Sequence, residues 1–380
     1  MPRIAPFVGL RYDPAVAGPL DALVAPPYDV LGDAALSERF ARSPFNSSRL
    51  ERGASGGTEA EYREAAALLE GWRATGVLVE TEPSLVAYEM RFRLAGVERR
   101  VRGVLGAVDV EPWGGSILPH ERTMRGPVED RMRLLRIVRA NLSPVHGILP
   151  GPSPVLAATL DAICARPADA AASDAGIEHS AWWFTPPTTL LEEVAGQRCM
   201  IADGHHRYTT ALAFREEMRA AVGPGPWDGV MMLLVDATEE PPVLPFHRLV
   251  DAPPAPIGGT PARDLDAILA AADDDACVVG RITRGADGPT YELVPLRGAP
   301  PAVTALEPLL PSDESAVRFT QDAAEAERSV TSGKTHVAWI LPPTTAERIR
   351  SVIDRGDRLP RKSTYFWPKP LTGFVIRPLD

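Results

Sequence analysis

Met200-Ile201-Ala202-Asp203-Gly204-His205-His206-Arg207-Tyr208-Thr209-Thr210-Ala211-Leu212 is the stretch on which the reading of this chain turns. Gln197 to Ala202 reads as a short buried strand that stops at an acid. Gly204 permits a tight turn, and Asp203 is placed to cap the helix beyond it. From Tyr208 onward, Ala211, Leu212, Phe214, Met218 and Val222 recur at helical spacing, interrupted by Arg215. Such a strand, turn and helix aims the helix N-terminal amides, two imidazoles and a guanidinium at one point, which suits a phosphate. Arg207 in the first turn opposes the helix dipole unless an anion shares the site.

The 380 residues of the chain are enough for two or three domains with a substantial core. A formal net charge of −10 argues against a global basic field for nucleic acid, which is not an expected partner. The three cysteines, Cys164, Cys199 and Cys277, lie far apart, so neither a disulfide framework nor a structural zinc site is expected. No apolar run approaches the ~20 residues that span a bilayer, and the N-terminus lacks a signal-peptide core. The expectation is a cytoplasmic protein with no membrane partner and no transition metal.

Working outward, Ala25-Pro26-Pro27-Tyr28-Asp29-Val30 is a proline-stiffened segment whose Tyr28 and Asp29 suit a binding-site wall. Glu59 to Ala74 has helical spacing, with Tyr62, Ala65, Ala66, Leu69 and Trp72 on one face and Gly76 as its stop. Leu85 to Leu94 and Val97 to Val108 alternate as strands about Ala95-Gly96, a hairpin. Ser116 to Thr123 reads as a loop. Glu129 to Ala140 reads as a helix whose Arg131, Arg133, Arg136 and Arg139 form a solvated face. Arg166 to Gly176, rich in Ala, Asp and Gly, reads as a mobile surface segment. Val230 to Asp236 is an apolar strand.

Residues 251–262 form the best linker. This divides the chain into a phosphate-binding domain, 1–250, carrying a large insertion, and a C-terminal α/β domain, 263–380. Strands are expected near Cys277 to Thr283, Thr290 to Val294 and Thr335 to Leu341, with helices near Ala262 to Ala272 and Ala346 to Asp354. The fold class is therefore α/β of the mixed, α+β kind. The tail from Arg361 to Pro370 packs Lys362, Lys369, Ser363, Thr364 and three aromatics into ten positions. Such a tail can return to close over an anionic ligand.

Several chemistries are excluded by spacing. Ser332-Gly333-Lys334-Thr335 copies the end of a phosphate-binding P-loop, but Arg328 stands where its first glycine belongs. There is no His-Glu-x-x-His for zinc, no Gly-x-Ser-x-Gly elbow and no Gly-x-Gly-x-x-Gly. Phosphate binding or phosphoryl transfer remains, with Gly204 to Arg207 as the cradle. Asp203 or Glu121 is then the candidate base, and His120 a proton donor or phosphate contact.

Ala25 to Val30, Pro119-His120-Glu121-Arg122-Thr123, Asp130-Arg131, Asn141-Leu142-Ser143-Pro144, Ile201 to Tyr208, Met231 to Val235 and Lys362-Ser363-Thr364-Tyr365-Phe366, in that order, resemble a bacterial family known only as a domain of unknown function, DUF1015. The likeness covers nearly the whole chain. Its central motif also resembles the ParB/sulfiredoxin superfamily, and Asp203-Gly204-His205-His206-Arg207 is similar to the signature of free-serine kinases. That resemblance implies a nucleotide-binding core, with Gly204, His205, His206 and Arg207 on the phosphates; Arg122 and Thr123, beside His120-Glu121, are further candidate phosphate contacts from the residues themselves. Tyr28, Asp29, Asn141, Lys362, Ser363, Tyr365 and Lys369 are the candidate substrate contacts, read from the proline-stiffened loop, the end of the arginine-rich helix and the tail. The sulfiredoxin cysteine is replaced by His205, which speaks against sulfinic-acid repair.

The leading expectation is a kinase using ATP or ADP with Mg²⁺ held by Glu121 and Asp130, phosphorylating free serine or a serine-like amino acid. A phosphatase acting on the corresponding phosphate ester, such as phosphoserine, is the second reading. A non-catalytic, nucleotide-gated binding protein is the third. A homodimer is left open.

Overall fold

A computed structural model of the chain describes residues 3–121, 123, 125–253, 256–285 and 288–380; the side chain of Glu314 is outside this description. The sequence expectation for Arg122 therefore lies outside the described residues. The fold is mixed α/β, and the chain parts into two compact units. The first comprises Met1–Pro119, Thr123–Pro241 and Pro368–Asp380; the second comprises His120–Arg122 and Pro242–Trp367.

The first unit is built on a mixed sheet of nine strands among the described residues: β1 (Ile4–Ala5), β2 (Leu85–Leu94), β3 (Val97–Asp109), β4 (Ile117–Leu118), β5 (Val145–Ile148), β6 (Ala170–Asp174), β7 (Ile177–Phe184), β8 (Cys199–Asp203) and β9 (Gly229–Val235). Their order is β4-β8-β5-β9-β3-β2-β7-β6, with β1 beside β3. The pairs β4–β8 and β5–β9 are parallel, and the remainder antiparallel. The β2–β3 hairpin follows from the sequence pattern. Ala95 and Gly96 both take positive φ (50° and 79°), the geometry that matches strand twist in a two-residue turn.

Three helices of this unit frame or adjoin the site: α1 (Glu59–Ala74), α2 (Arg125–Val138) and α3 (His205–Val222). Helix α1 has the expected bounds, and a capping box between Thr58 and Glu61 fixes its start. Helix α3 buries Tyr208, Ala211, Phe214 and Met218, but Val222 is 64% exposed, so the apolar stripe ends one turn earlier than the spacing implied. Tyr208 and Ala211 join the core of β-strand residues that includes Val145, Ile201, Met232 and Leu234.

Two local readings are corrected. Residues 170–174, expected in a mobile surface segment, form the edge strand β6, paired with β7 through a turn at Ala175 and Gly176. Asp174 at its end is buried and binds Arg39 at 2.5 Å, a tie that composition alone does not disclose. Nor are the α2 arginines all solvated. Arg131 is only 4% exposed, its guanidinium 4.1 Å from the Tyr28 ring centroid and bonded to the Glu51 carbonyl at 2.8 Å.

The second unit holds an antiparallel six-stranded sheet. Its strand order is Thr260–Ala262, Gly288–Pro295, Val278–Gly285, Val337–Ile340, His247–Val250 and Val317–Thr320. Helices Leu265–Ala271 and Ala323–Thr331 contribute Ile268, Ala326 and Val330 to its core with Leu249, Ile282, Ala338 and Ile340.

Candidate functional site

The expected strand, glycine turn and helix form at the end of β8. Gly204 adopts φ 92°, a left-handed conformation that costs a glycine little, and opens the 18-residue helix α3. Space is restricted as well as dihedral: a Cβ at Gly204 would stand 3.0 Å from Arg207 Nε. The glycine is itself the N-cap. The expectation that Asp203 caps α3 is therefore corrected, and no side chain of the cap residue bonds to the first turn. That turn also contains no acid. The positive end of the dipole is left without an acidic side chain from its own first turn.

Asp203 is instead the centre of a buried ion cluster. One oxygen accepts from Arg207, and the other lies 2.6 Å from Lys369 Nζ. Lys369 also donates to Asp29 Oδ2 at 2.7 Å. The side chains of Lys369, Arg207 and Asp203 are only 6%, 10% and 13% exposed. Burial works against the Asp203 charge, but Lys369 and Arg207 overcome it and hold the carboxyl far below the ordinary carboxylate range. Desolvation likewise opposes the Arg207 charge, and Asp203, Asp29 and Glu51 overcome it.

Arg207 is held from inside the protein. Its terminal nitrogens reach Asp203, Ser143 Oγ (3.0 Å) and the Pro144 carbonyl. Ser143 donates to Glu51, whose other oxygen accepts from Thr372 Oγ1 at 2.7 Å. Helix α3, the Asn141–Pro144 segment and the C-terminal stretch are thus linked by one chain of polar contacts. A cavity of about 60 Å³ lies against it, lined by Glu51, Arg131, Ser143, Arg207 and Thr210 among others.

The remaining expected residues separate into groups. His205 is buried and stacks on Trp113 (centroids 6.2 Å, planes 18° apart), whereas His206 is half-buried. Tyr28 is buried against Arg131. Desolvation pushes its phenol above the ordinary range, and Asp29 adds to this. Asn141 is spent on structure, its Oδ1 accepting from Met231 N (2.9 Å) and Arg377 (3.1 Å). Thr123 is exposed.

His120, Glu121, Lys362, Ser363 and Tyr365 belong to the second unit. There His120 Nε2 meets Thr364 Oγ1 at 2.7 Å, and Glu121 accepts the Lys362 N–H at 2.6 Å. Desolvation pushes the Glu121 carboxyl up to about 7, against the pull of the Lys362 amide and ammonium. Ser363 Oγ donates to the Pro360 carbonyl, and Tyr365 pairs with Leu244 in a short ladder.

A magnesium site from Glu121 and Asp130 is not supported by the donors. The Asp130 carboxylate already accepts from Tyr62 (2.5 Å), Arg131 (2.5 Å) and Arg133 (3.3 Å). Among the described residues no three His, Cys, Asp or Glu side chains are grouped to hold an ion.

His146 and Glu51 join this neighbourhood although residue spacing gives no sign of either. His146 is a lone histidine in an apolar strand, and only its register opposite Asp203 reveals its place. Burial and the Arg207 and Lys369 charges, opposed by Asp203, hold its imidazole down to about 4, so it is neutral at pH 7.

This arrangement sits in a recognised family. The chain belongs to DUF1015, described as a protein of unknown function, which it matches over residues 4–271. No curated protein matches it. Solved structures similar to it include a conserved hypothetical protein from Pyrococcus furiosus (12% identity, TM-score 0.39, covering 70% of this chain and 92% of that one). They also include a free serine kinase in complex with AMP (12%, TM-score 0.39, 70% and 88%). A third is SbnI with a C-terminal truncation from Staphylococcus aureus (14%, TM-score 0.40, 70% and 85%). No described helix is long and apolar enough to cross a membrane.

Proposed function

We propose that this protein is a nucleotide-dependent phosphotransferase that phosphorylates a hydroxyl of a small molecule, with free serine or a serine-like amino acid as the first acceptor to try. The observation that carries the reading is the N-terminus of α3, which has no side-chain cap, beside an ionised Asp203 clamped by Lys369 and Arg207. A helix N-terminus favours a phosphate, and a clamped carboxylate keeps a fixed orientation toward a hydroxyl.

In this reading the first-turn amides from Gly204 to His206, together with the His206 imidazole, receive the terminal phosphate of ATP or ADP. Lys369 screens Asp203 from the incoming anion. Arg207 acts through Asp203 as a positioning residue, since its terminal nitrogens are engaged within the protein. The hydroxyl oxygen bonds to phosphorus, the bond to the nucleotide's leaving oxygen breaks, and the hydroxyl proton passes to Asp203 and then to water. A carboxyl with a depressed pKa is a weak base, but a loose phosphoryl transition state asks little proton abstraction before the phosphorus–oxygen bond breaks.

The test is a thermal-shift screen of ATP, ADP, CTP, GTP and pyrophosphate with Mg²⁺, on wild type and His206→Ala. A ligand that binds only the folded state raises its melting temperature by mass action. The reading expects a nucleotide shift that is lost in His206→Ala. Absence of a shift with every nucleotide sinks it, and phosphate release from phosphoserine without nucleotide would replace it with a phosphatase.

A further inference from the structure

Ten buried side-chain nitrogen and oxygen atoms lack a hydrogen-bond partner among the described residues, and four of them fall in the Asp203 cluster. They are Asp29 Oδ1, Arg207 Nε and both ring nitrogens of His146. Folded proteins leave few such atoms unpaired, because each has given up its bonds to water without a replacement. Four in one place present a set of buried donors and acceptors that one bound molecule can satisfy together.

Their placement is consistent with a single neighbourhood. Asp203 and His146 are register partners on β8 and β5, and the ladder shifts register between Ile201 and Asp203. Asp29 joins Asp203 through the shared Lys369 ammonium, and Arg207 joins it directly. His146 is 1% exposed, so bulk water does not satisfy its ring.

Their chemistry limits what the molecule can be. Asp29 Oδ1 accepts, Arg207 Nε donates, and a neutral imidazole does one of each. Asp29, Asp203 and Glu51 carry three negative charges against two positive ones on Lys369 and Arg207, so the cluster offers an anion no excess of positive charge. A multiply charged phosphate would add uncompensated charge there. A small zwitterion or uncharged polar molecule would not.

We infer that His146, Asp29 and Arg207 Nε form the recognition pocket for the acceptor, a small net-neutral molecule carrying both donor and acceptor groups, separate from the phosphate cradle at the α3 N-terminus. His146 is the specificity-determining residue of that pocket. The assignment of the molecule as acceptor rests on the phosphotransferase reading; the pocket itself does not.

The experiment measures binding to the full chain without nucleotide, using L-serine as the zwitterionic probe, glycerate as its anionic counterpart and inorganic phosphate. Serine is expected to raise the melting temperature more than glycerate or phosphate at equal concentration. His146→Ala should weaken that binding about tenfold or more, as expected for a lost buried hydrogen bond to a ligand, and leave nucleotide binding within about twofold. His146→Gln, which keeps one donor and one acceptor, should recover part of it.

Should His146→Ala fail to fold, ¹⁵N imidazole signals of the wild-type chain read the same contact, and one histidine must shift on adding serine. No response to serine by either method, or equal binding by wild type and both variants, overturns the pocket. Serine binding through His146 without any phosphorylated product would remove the kinase and keep the pocket. Product formed by His146→Ala at unchanged serine KM would do the reverse.

Discussion

Replacing Lys369 by Met tests whether the buried ion cluster organises the first unit. The ammonium bridges Asp29 at 2.7 Å and Asp203 at 2.6 Å with 6% of the side chain exposed. Met fills much of the volume but removes the charge, leaving Asp203 to Arg207 alone and Asp29 without its cation. Removing one partner of a buried pair costs about 3–5 kcal/mol, because the other charge stays uncompensated. Each kcal/mol lowers the melting temperature by about 2–4 °C in a body of 150–250 residues, so the loss should be about 6–20 °C. Thermal unfolding by circular dichroism at pH 7 reads it. Adding Asp29→Asn to Lys369→Met removes the stranded carboxylate and should restore some of the loss, with a coupling of about 0.5–3 kcal/mol. A melting temperature within about 2 °C of wild type, or a double variant less stable than the single one, refutes the argument.

Acid should destabilise the fold before its carboxylates titrate. His146 and His179 are held from 6.5 down to about 4 chiefly by burial, so their contribution is complete above pH 6.5 and lost as pH falls through 4. The gap is worth about 3 kcal/mol for each, and a urea titration at pH 7 and pH 4.5 measures it. Glu121 has the opposite sign. Its carboxyl is raised from 4.5 to about 7, so its contribution is complete below pH 4.5 and lost as pH rises through 7. Glu121→Gln should remove this fall, so that between pH 4.5 and 7 the variant gains more stability with rising pH than the wild type does. Gly204→Ala must place a Cβ at φ 92° against Arg207 Nε, and should cost about 1–3 kcal/mol together with the nucleotide thermal shift.

The regular elements were legible because their signals are periodic. The α1 stripe and the hairpin about Ala95-Gly96 require no information beyond neighbours in sequence. Strand β6 was not legible, since Ala-Ala-Ala-Ser-Asp has the composition of a loop and becomes a strand only by pairing with β7. The Asp203 to Arg207 turn could be read from residue types and a glycine. The partners that complete it could not, because Lys369 and Asp29 come from distant segments and His146 from an apolar strand. Arg131 shows the same limit: helical spacing placed it on a solvated face, while its ring and carbonyl contacts bury it.

The most direct measurement is ³¹P NMR of the wild-type protein incubated with ATP, and separately ADP, in the presence of Mg²⁺ and L-serine. The account predicts a new phosphate-monoester resonance that grows as the nucleotide's terminal phosphate declines, and that falls about a hundredfold or more in Asp203→Asn. Nucleotide left intact, or inorganic phosphate appearing with no ester from serine or any other hydroxylated amino acid, would contradict it.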